Sequence, residues 1–233
     1  MDVVEIYRRA FEIFRGNYLI AAPFIAVNII VALLFMLLAG GLMMAGEGAP
    51  PLGPSIGMPG LGAVLGAALV VTLLSWVLNI LAQGMVAGMS SAVISRGVTG
   101  LEDGFDVLSR KLGGLIIAGV LVSMAVGVGL VLLIIPGLVA GFLLMFTVIA
   151  LVVEDLDVMA AMKRSYRVVR SNLGDAFAYA VLMVAIWIIA GIIGAVLSKV
   201  PVVGYSLLSP AVDGMASTII TIAGVLFLRE AAT

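Results

Sequence analysis

The chain of 233 residues contains no cysteine and no histidine, and only 11% of it is charged. Without cysteine there is no disulfide, no thiolate nucleophile and no cysteine metal site. Without histidine the commonest general base is missing. No more than two Lys or Arg residues are adjacent anywhere, so nothing marks a nucleic-acid surface. The signatures His-Glu-x-x-His, a Walker lysine followed by Ser or Thr, and Gly-x-Ser-x-Gly are all lacking. A carboxylate or lysine enzyme would need a spacing that is not there, so we expect no catalysis, no cofactor and no metal.

What the chain has in abundance is apolar surface. Hydrophobic residues make up 64% of it and the mean hydropathy is +1.31, whereas a soluble domain carries about 25% charged residues. The bilayer is therefore its solvent. The expected class is all-α, a polytopic membrane protein forming a single integral membrane domain over residues 1–233. The first residues do not read as a cleaved leader, because Asp2 and Glu5 precede the first basic residues and no small-residue cleavage site follows a short apolar core.

Leu112 to Asn172 sets the plan. Its apolar part, about 42 residues, would be about 63 Å long as one helix, twice the roughly 30 Å of hydrocarbon, so it must fold back. Ile135-Pro136-Gly137 is the expected turn. The same reasoning along the chain predicts six crossings, at 18–44, 61–95, 112–135, 138–153, 176–197 and 210–228, paired in three hairpins. The stretch 61–95 is too long for one upright crossing and should tilt, break near Gln83-Gly84 or overhang. Gly46 to Gly60 and Ser198 to Ser209 read as connections.

Three amphipathic helices, at 2–15, 100–111 and 157–171, precede the hairpins on the cytoplasmic side. Their expected apolar faces are Val3, Ile6, Tyr7, Ala10, Phe11 and Phe14; Leu101, Phe105 and Leu108; and Met159, Met162, Tyr166 and Val169. Thr99-Gly100-Leu101-Glu102 has capping-box spacing, and Asp157 can cap the third helix. Each helix ends in a cation followed by Gly or Asn, at Arg15-Gly16-Asn17, Arg110-Lys111-Leu112-Gly113-Gly114 and Arg170-Ser171-Asn172. A left-handed cap beside a favourable charge would explain that pattern.

Eleven of the 12 Lys and Arg residues lie before the first crossing, between hairpins or after the last; only Lys199 lies in an outer connection. Each hairpin is thus bracketed by cations, which predicts a multi-pass protein of the cell membrane with both termini in the cytoplasm.

Candidate sites follow from what is polar. Small residues four apart, Gly62 and Gly66, Gly84 and Gly88, Gly137 and Gly141, Gly191 and Ala195, read as helix packing faces. Asn28, Asn79, Gln83 and Asp213 lie in or beside the crossings. They either satisfy each other across helices or line a polar cavity. For Asp213 the first turn of a helix capped by Ser209 and opened by Pro210 is the structural reading, and a proton or cation site the functional one. Lys163, Arg164, Arg167 and Arg170, with Arg110 and Lys111, either form a solvated face or grip lipid phosphates or a partner.

The segments Ile135-Pro136-Gly137-Leu138, Phe146, Val152-Val153-Glu154, Ala161-Met162-Lys163-Arg164-Ser165 and Arg170, with Phe14-Arg15-Gly16-Asn17-Tyr18, resemble a broad prokaryotic family of six-helix membrane proteins without an assigned activity. They are also similar to the membrane domain of some bacterial glycerophosphodiester phosphodiesterases. That resemblance implies a membrane module, sometimes coupled to lipid head-group metabolism; the phosphodiesterase activity does not carry over, since its catalytic domain has no counterpart here. The expected function is a non-enzymatic membrane module that organises lipid or a partner, whether a membrane protein, a cytoplasmic one or a second copy of itself. The alternative is a transporter or channel for a small solute or lipid-derived molecule.

Overall fold

The computed structural model describes residues 2–47 and 61–231, and all regular structure among them is helical. The chain runs through α1 (Val3–Gly16), a 3-10 turn (Tyr18–Ala21), α2 (Ala22–Glu47), α3 (Leu61–Arg96), α4 (Leu101–Leu132), α5 (Ile134–Leu144), α6 (Thr147–Val153), α7 (Val158–Ser171) and α8 (Leu173–Leu197). A π turn (Gly204–Leu208) then leads into α9 (Ser209–Glu230). Six segments are long and apolar enough to cross a membrane: Tyr18–Leu38, Leu65–Arg96, Leu101–Leu132, Ile134–Val153, Leu173–Leu197 and Gly204–Glu230. Most of the expected loop at Gly46 to Gly60 lies outside the described residues, as does the side-chain environment of Gly62.

The most enclosed span is α9, which packs against α1, α2, α3, α6 and α8. Among the spans 61% of its most apolar window is buried within the protein, against 6% for Leu65–Arg96. Ile220 to Leu228 are buried without a break and, apart from Thr221, carry no polar side chain, as suits a helix enclosed by others. Close approach depends on glycine. A Cβ on Gly214 would lie 2.8 Å from the Ile25 backbone nitrogen, so α2 and α9 cross backbone to backbone there. Near the C-terminal half of α9 four rings meet, from α1, the junction of α5 and α6, α8 and α9: Tyr7, Phe146, Tyr179 and Phe227, with centroids 4.9 to 5.6 Å apart. The Tyr179 hydroxyl donates to the Ile220 carbonyl at 2.9 Å, and the Tyr7 hydroxyl to the Tyr179 carbonyl at 3.1 Å. Burial holds the Tyr7 hydroxyl well above its ordinary pKa, so it stays a donor.

Several boundaries differ from expectation. The stretch 100–111 is not a separate helix: α4 continues from Leu101 through Gly113 and Gly114 to Leu132. Two glycines cost a helix about 2 kcal/mol, which the long apolar run after them overrides. Likewise α3 does not break at Gln83-Gly84; at 36 residues it is about 54 Å long and must tilt or overhang. The turn between α4 and α5 sits at Leu133, which is extended (φ −162°, ψ 143°). Pro136 falls instead in the first turn of α5, where a missing N–H costs nothing. Gly137 packs on Gly129, whose Cβ would come within 2.7 Å of the Gly137 Cα. The box before α4 is shifted by one residue: Asp103, not Glu102, accepts from the Gly100 N–H at 3.1 Å and the Thr99 hydroxyl at 2.9 Å. Asn17 and Asn172 do end α1 and α7, but neither is left-handed (φ −145° and −129°). Each bonds through its side-chain amide to the carbonyl four residues back, Ile13 at 3.3 Å and Val168 at 3.1 Å.

The apolar faces also need correction. In α1 the stripe Val3, Ile6, Tyr7, Ala10 and Phe14 is buried in protein, leaving Phe11 outside. In α7 the buried face is Ala161, Ser165, Val168 and Val169, whereas Met159 and Tyr166 are exposed. Small residues on that face let α7 close onto α5 and α6. Among the small-residue pairs, Gly84 meets Leu115 and Gly88 meets Val107. By contrast, a Cβ placed on Gly66 or Gly191 would meet nothing within 4 Å, and Ala195 faces outward.

Candidate functional site

Two groups of polar side chains stand out, one at each end of α9. At the end where α9 finishes, ion pairs tie the helices together. Arg9 meets Glu230 at 2.9 Å and Arg229 donates to the Ser91 hydroxyl at 2.8 Å. Arg164 presents Nε to both oxygens of Glu154 at 2.9 and 2.8 Å, with both side chains mostly buried. Arg110 pairs with Asp106, and Lys111 with Asp155 and the Leu156 carbonyl. The Lys111 ammonium holds the exposed Asp155 carboxyl below the usual carboxylate range. Three of the six cations proposed for lipid contact are thus committed to partners within the chain.

The remaining three are not. Lys163, Arg167 and Arg170 lie at i, i+4 and i+7 on the exposed side of α7, and no carboxylate pairs with them among the described residues. With Tyr166 and Ser171 they border an open groove of about 580 Å³. Arg170 lies over the Tyr166 ring at 5.8 Å and donates to its hydroxyl at 2.9 Å, which orients both. The other side of α7 is fastened by Ser165, fully buried, whose hydroxyl accepts from the Phe146 N–H at 3.1 Å and donates to the Leu143 carbonyl at 2.9 Å. Met145 and Phe146 are the break between α5 and α6, so a side chain of α7 supplies the hydrogen bonds that the helix loses there.

At the other end, Asn28, Asn79, Gln83 and Asp213 do converge, though not on one another. Asn28, Asn79 and Asp213 line a cavity of about 400 Å³ with Trp187, Tyr205 and Ser209. A second cavity of about 280 Å³ shares Asn79 and Trp187 and adds Gln83, Trp76, Ser217 and Thr221. The two stand side by side between α2, α3, α8 and α9. The amides spend their N–H groups on backbone: Asn79 on the Ser75 carbonyl at 2.9 Å, Asn28 on the Pro210 carbonyl at 3.4 Å. Ser217 and Thr221 donate to carbonyls four residues back at 2.8 Å. Ser209 does not cap α9, which continues directly from the π turn. Asp213 has no ion-pair partner among the described residues, and no Lys or Arg borders either cavity.

The family model named domain of unknown function (DUF7847) matches residues 1–232. The chain belongs to that family. No curated protein and no solved structure matches it, so the likeness to the phosphodiesterase membrane domain rests on the sequence segments alone. For this DUF7847 member no group of three or more acidic side chains that could hold a metal ion occurs among the described residues.

Sequence reasoning passed over Ser165, Trp187, Tyr205, Ser217 and Thr221. For α9 a signal existed: Ser209, Asp213, Ser217 and Thr221 recur every four residues and so share one helix face. For Ser165 none did, because its role depends on a break in another helix.

Proposed function

We propose that the protein is a non-enzymatic multi-pass module of the cell membrane that holds anionic lipid head groups on the exposed face of α7. Its spans run as three hairpins with both termini in the cytoplasm, and the helix ends joined by the ion pairs above form the cytoplasmic surface. The observation that carries this reading is the contrast among the cations. Arg9, Arg110, Lys111 and Arg164 are matched by carboxylates, while Lys163, Arg167 and Arg170 border a groove with no such partner among the described residues. Exposed Met159 and Tyr166 beside them are suited to the apolar edge of the interface. The resemblance to a membrane domain found with lipid head-group enzymes is in keeping with such a role.

Each cation near an anionic surface contributes about 1 kcal/mol, so three are worth about 3 kcal/mol, roughly 150-fold in affinity. Purified protein in micelles should bind short-chain phosphatidylglycerol more tightly than phosphatidylcholine, with a preference that fades above about 0.5 M salt. Replacing Lys163, Arg167 and Arg170 by Gln should remove the preference. Equal binding of both lipids by the unaltered chain, or a preference that survives the triple change, would reject this reading.

A second reading is favoured by the convergence of Asn28, Asn79, Gln83 and Asp213: the cleft between α2, α3, α8 and α9 admits a polar solute, as a transporter or channel requires. Retained or transported solute in proteoliposomes is the readout.

A further inference from the structure

We infer that this cleft takes a small organic cation, a primary or quaternary ammonium held between the Asp213 carboxylate and the rings of Trp187 and Tyr205. The inference rests on the second reading above and adds the chemistry of the occupant.

Among the described residues Asp213 is the only carboxylate on the cleft, and no Lys or Arg borders it. Asp213 is part-buried, and a cation bound beside it would keep the carboxyl ionised where the chain supplies no partner. The other polar groups can serve an ammonium: Asn79 and Asn28 each spend one N–H on a backbone carbonyl, and their side-chain oxygens accept no hydrogen bond among the described residues. Gln83 makes no hydrogen bond within the described residues, so it is open to a ligand as well. An anion would meet the carboxylate with no donor of positive charge, and a neutral polyol would leave that charge unmatched.

Size and wall material separate an organic cation from an inorganic one. A hard metal ion needs several oxygens closing on it at 2.0 to about 2.6 Å, whereas this cavity is about 400 Å³ and one side of it is aromatic. Indole and phenol faces attract ammonium groups, most of all quaternary ones, which are weakly hydrated, and trimethylammonium groups are recognised in this way by aromatic walls elsewhere.

The chain supplies its own reporter. Its only two tryptophans, Trp76 and Trp187, both border the cleft. The full chain in nanodiscs is titrated with choline chloride while tryptophan emission is followed. Parallel titrations use 3,3-dimethyl-1-butanol, which has the shape of choline without its charge, and potassium chloride. We expect a saturable change with choline, at least tenfold weaker with the alcohol and absent with potassium. Asp213→Asn should weaken choline binding at least tenfold and leave the alcohol's response unchanged. Equal responses to choline and the alcohol would overturn the cation assignment while leaving a solute cleft in place. A saturable response to potassium alone would overturn it in favour of an inorganic ion. No response to any of the three would overturn both the assignment and the second reading. The comparison of choline with its isostere needs no variant, so it decides even if Asp213→Asn does not fold.

Discussion

Replacing Ser165 by Ala removes one oxygen and, with it, both hydrogen bonds that α7 makes to the break between α5 and α6. Ser165 is fully buried, so no water takes its place. Side-chain hydrogen bonds in membrane proteins average about 0.6 kcal/mol and reach about 1.7. A buried backbone group left without a partner costs about 1 to 3 kcal/mol. For one donor and one acceptor together we expect a loss of about 2 kcal/mol, a roughly 30-fold shift in the unfolding equilibrium. The volume lost is that of one hydroxyl, so cavity formation adds little.

Two measurements read this out. Reversible unfolding in mixed micelles should show the stability loss, and hydrogen exchange over residues 143–147 should quicken by a similar factor, since the Phe146 N–H has lost its acceptor. Ser171→Ala is the control: its exposed hydroxyl bonds only locally, donating to the Arg167 carbonyl at 2.9 Å and accepting from the neighbouring Asn172 amide at 3.0 Å, so the change should stay within about 0.5 kcal/mol. Thr147, next to the break, should respond in the opposite direction. Its hydroxyl is buried and has no hydrogen-bond partner, so Thr147→Val should be neutral or stabilising. A Ser165→Ala loss below about 0.5 kcal/mol, with unchanged exchange at 143–147, would refute the view that α7 braces the break.

Gly214→Ala forces a methyl against the Ile25 backbone, which no rotamer can relieve, and should cost about 1 to 3 kcal/mol in thermal unfolding; Gly191→Ala, with open space around it, should cost nothing measurable. Equal effects would mean that α2 and α9 do not cross at Gly214. The Lys111–Asp155 pair predicts a pH dependence. Because the folded carboxyl lies below its unfolded value of about 3.9, the pair stabilises above that pH and its contribution fades as pH falls toward the depressed folded value. The melting difference between the unaltered chain and Asp155→Asn should therefore be constant from pH 7 to 5 and shrink below about 4. A difference that persists unchanged at pH 3 would mean that the carboxylate charge is not what stabilises.

The six spans were legible because a bilayer demands long apolar runs and the chain has them in the open. What could not be read was which residues on each helix face another helix. In water the buried stripe is the apolar one, which for α7 is Met159, Met162, Tyr166 and Val169. Of these only Val169 is buried, beside Ala161, Ser165 and Val168, because packing beside a membrane rewards small residues, and large apolar side chains there are equally at home in lipid. The same logic misplaced Gly66 and Gly191, whose spacing suits a packing face that no neighbour uses. The turn at Leu133 was hidden for another reason: the chain can reverse at any residue able to extend, and Pro136 is as well accommodated inside the first turn of a helix as in a loop.

Polar residues within the spans obey a stricter rule, and that is why they located the cleft. A polar group in hydrocarbon must find a partner or a cavity, so Asn28, Asn79, Gln83 and Asp213 had only two possible fates. Their arrangement has features of both: Asn28 joins α2 to α9 through the Pro210 carbonyl, Asn79 bonds within α3 to the Ser75 carbonyl, and both border a space with Asp213, beside which no cation lies among the described residues. Helix α9 accounts for both ends of the molecule in this light. Its second half is enclosed by neighbours and anchors the ion-paired surface, while Ser209, Asp213 and Ser217 in its first half and Thr221 near its middle set every fourth residue toward the cleft. A substitution that merely loosened packing would weaken both regions, so a loss of cation binding in Asp213→Asn with unchanged phosphatidylglycerol preference would assign that loss to the cleft.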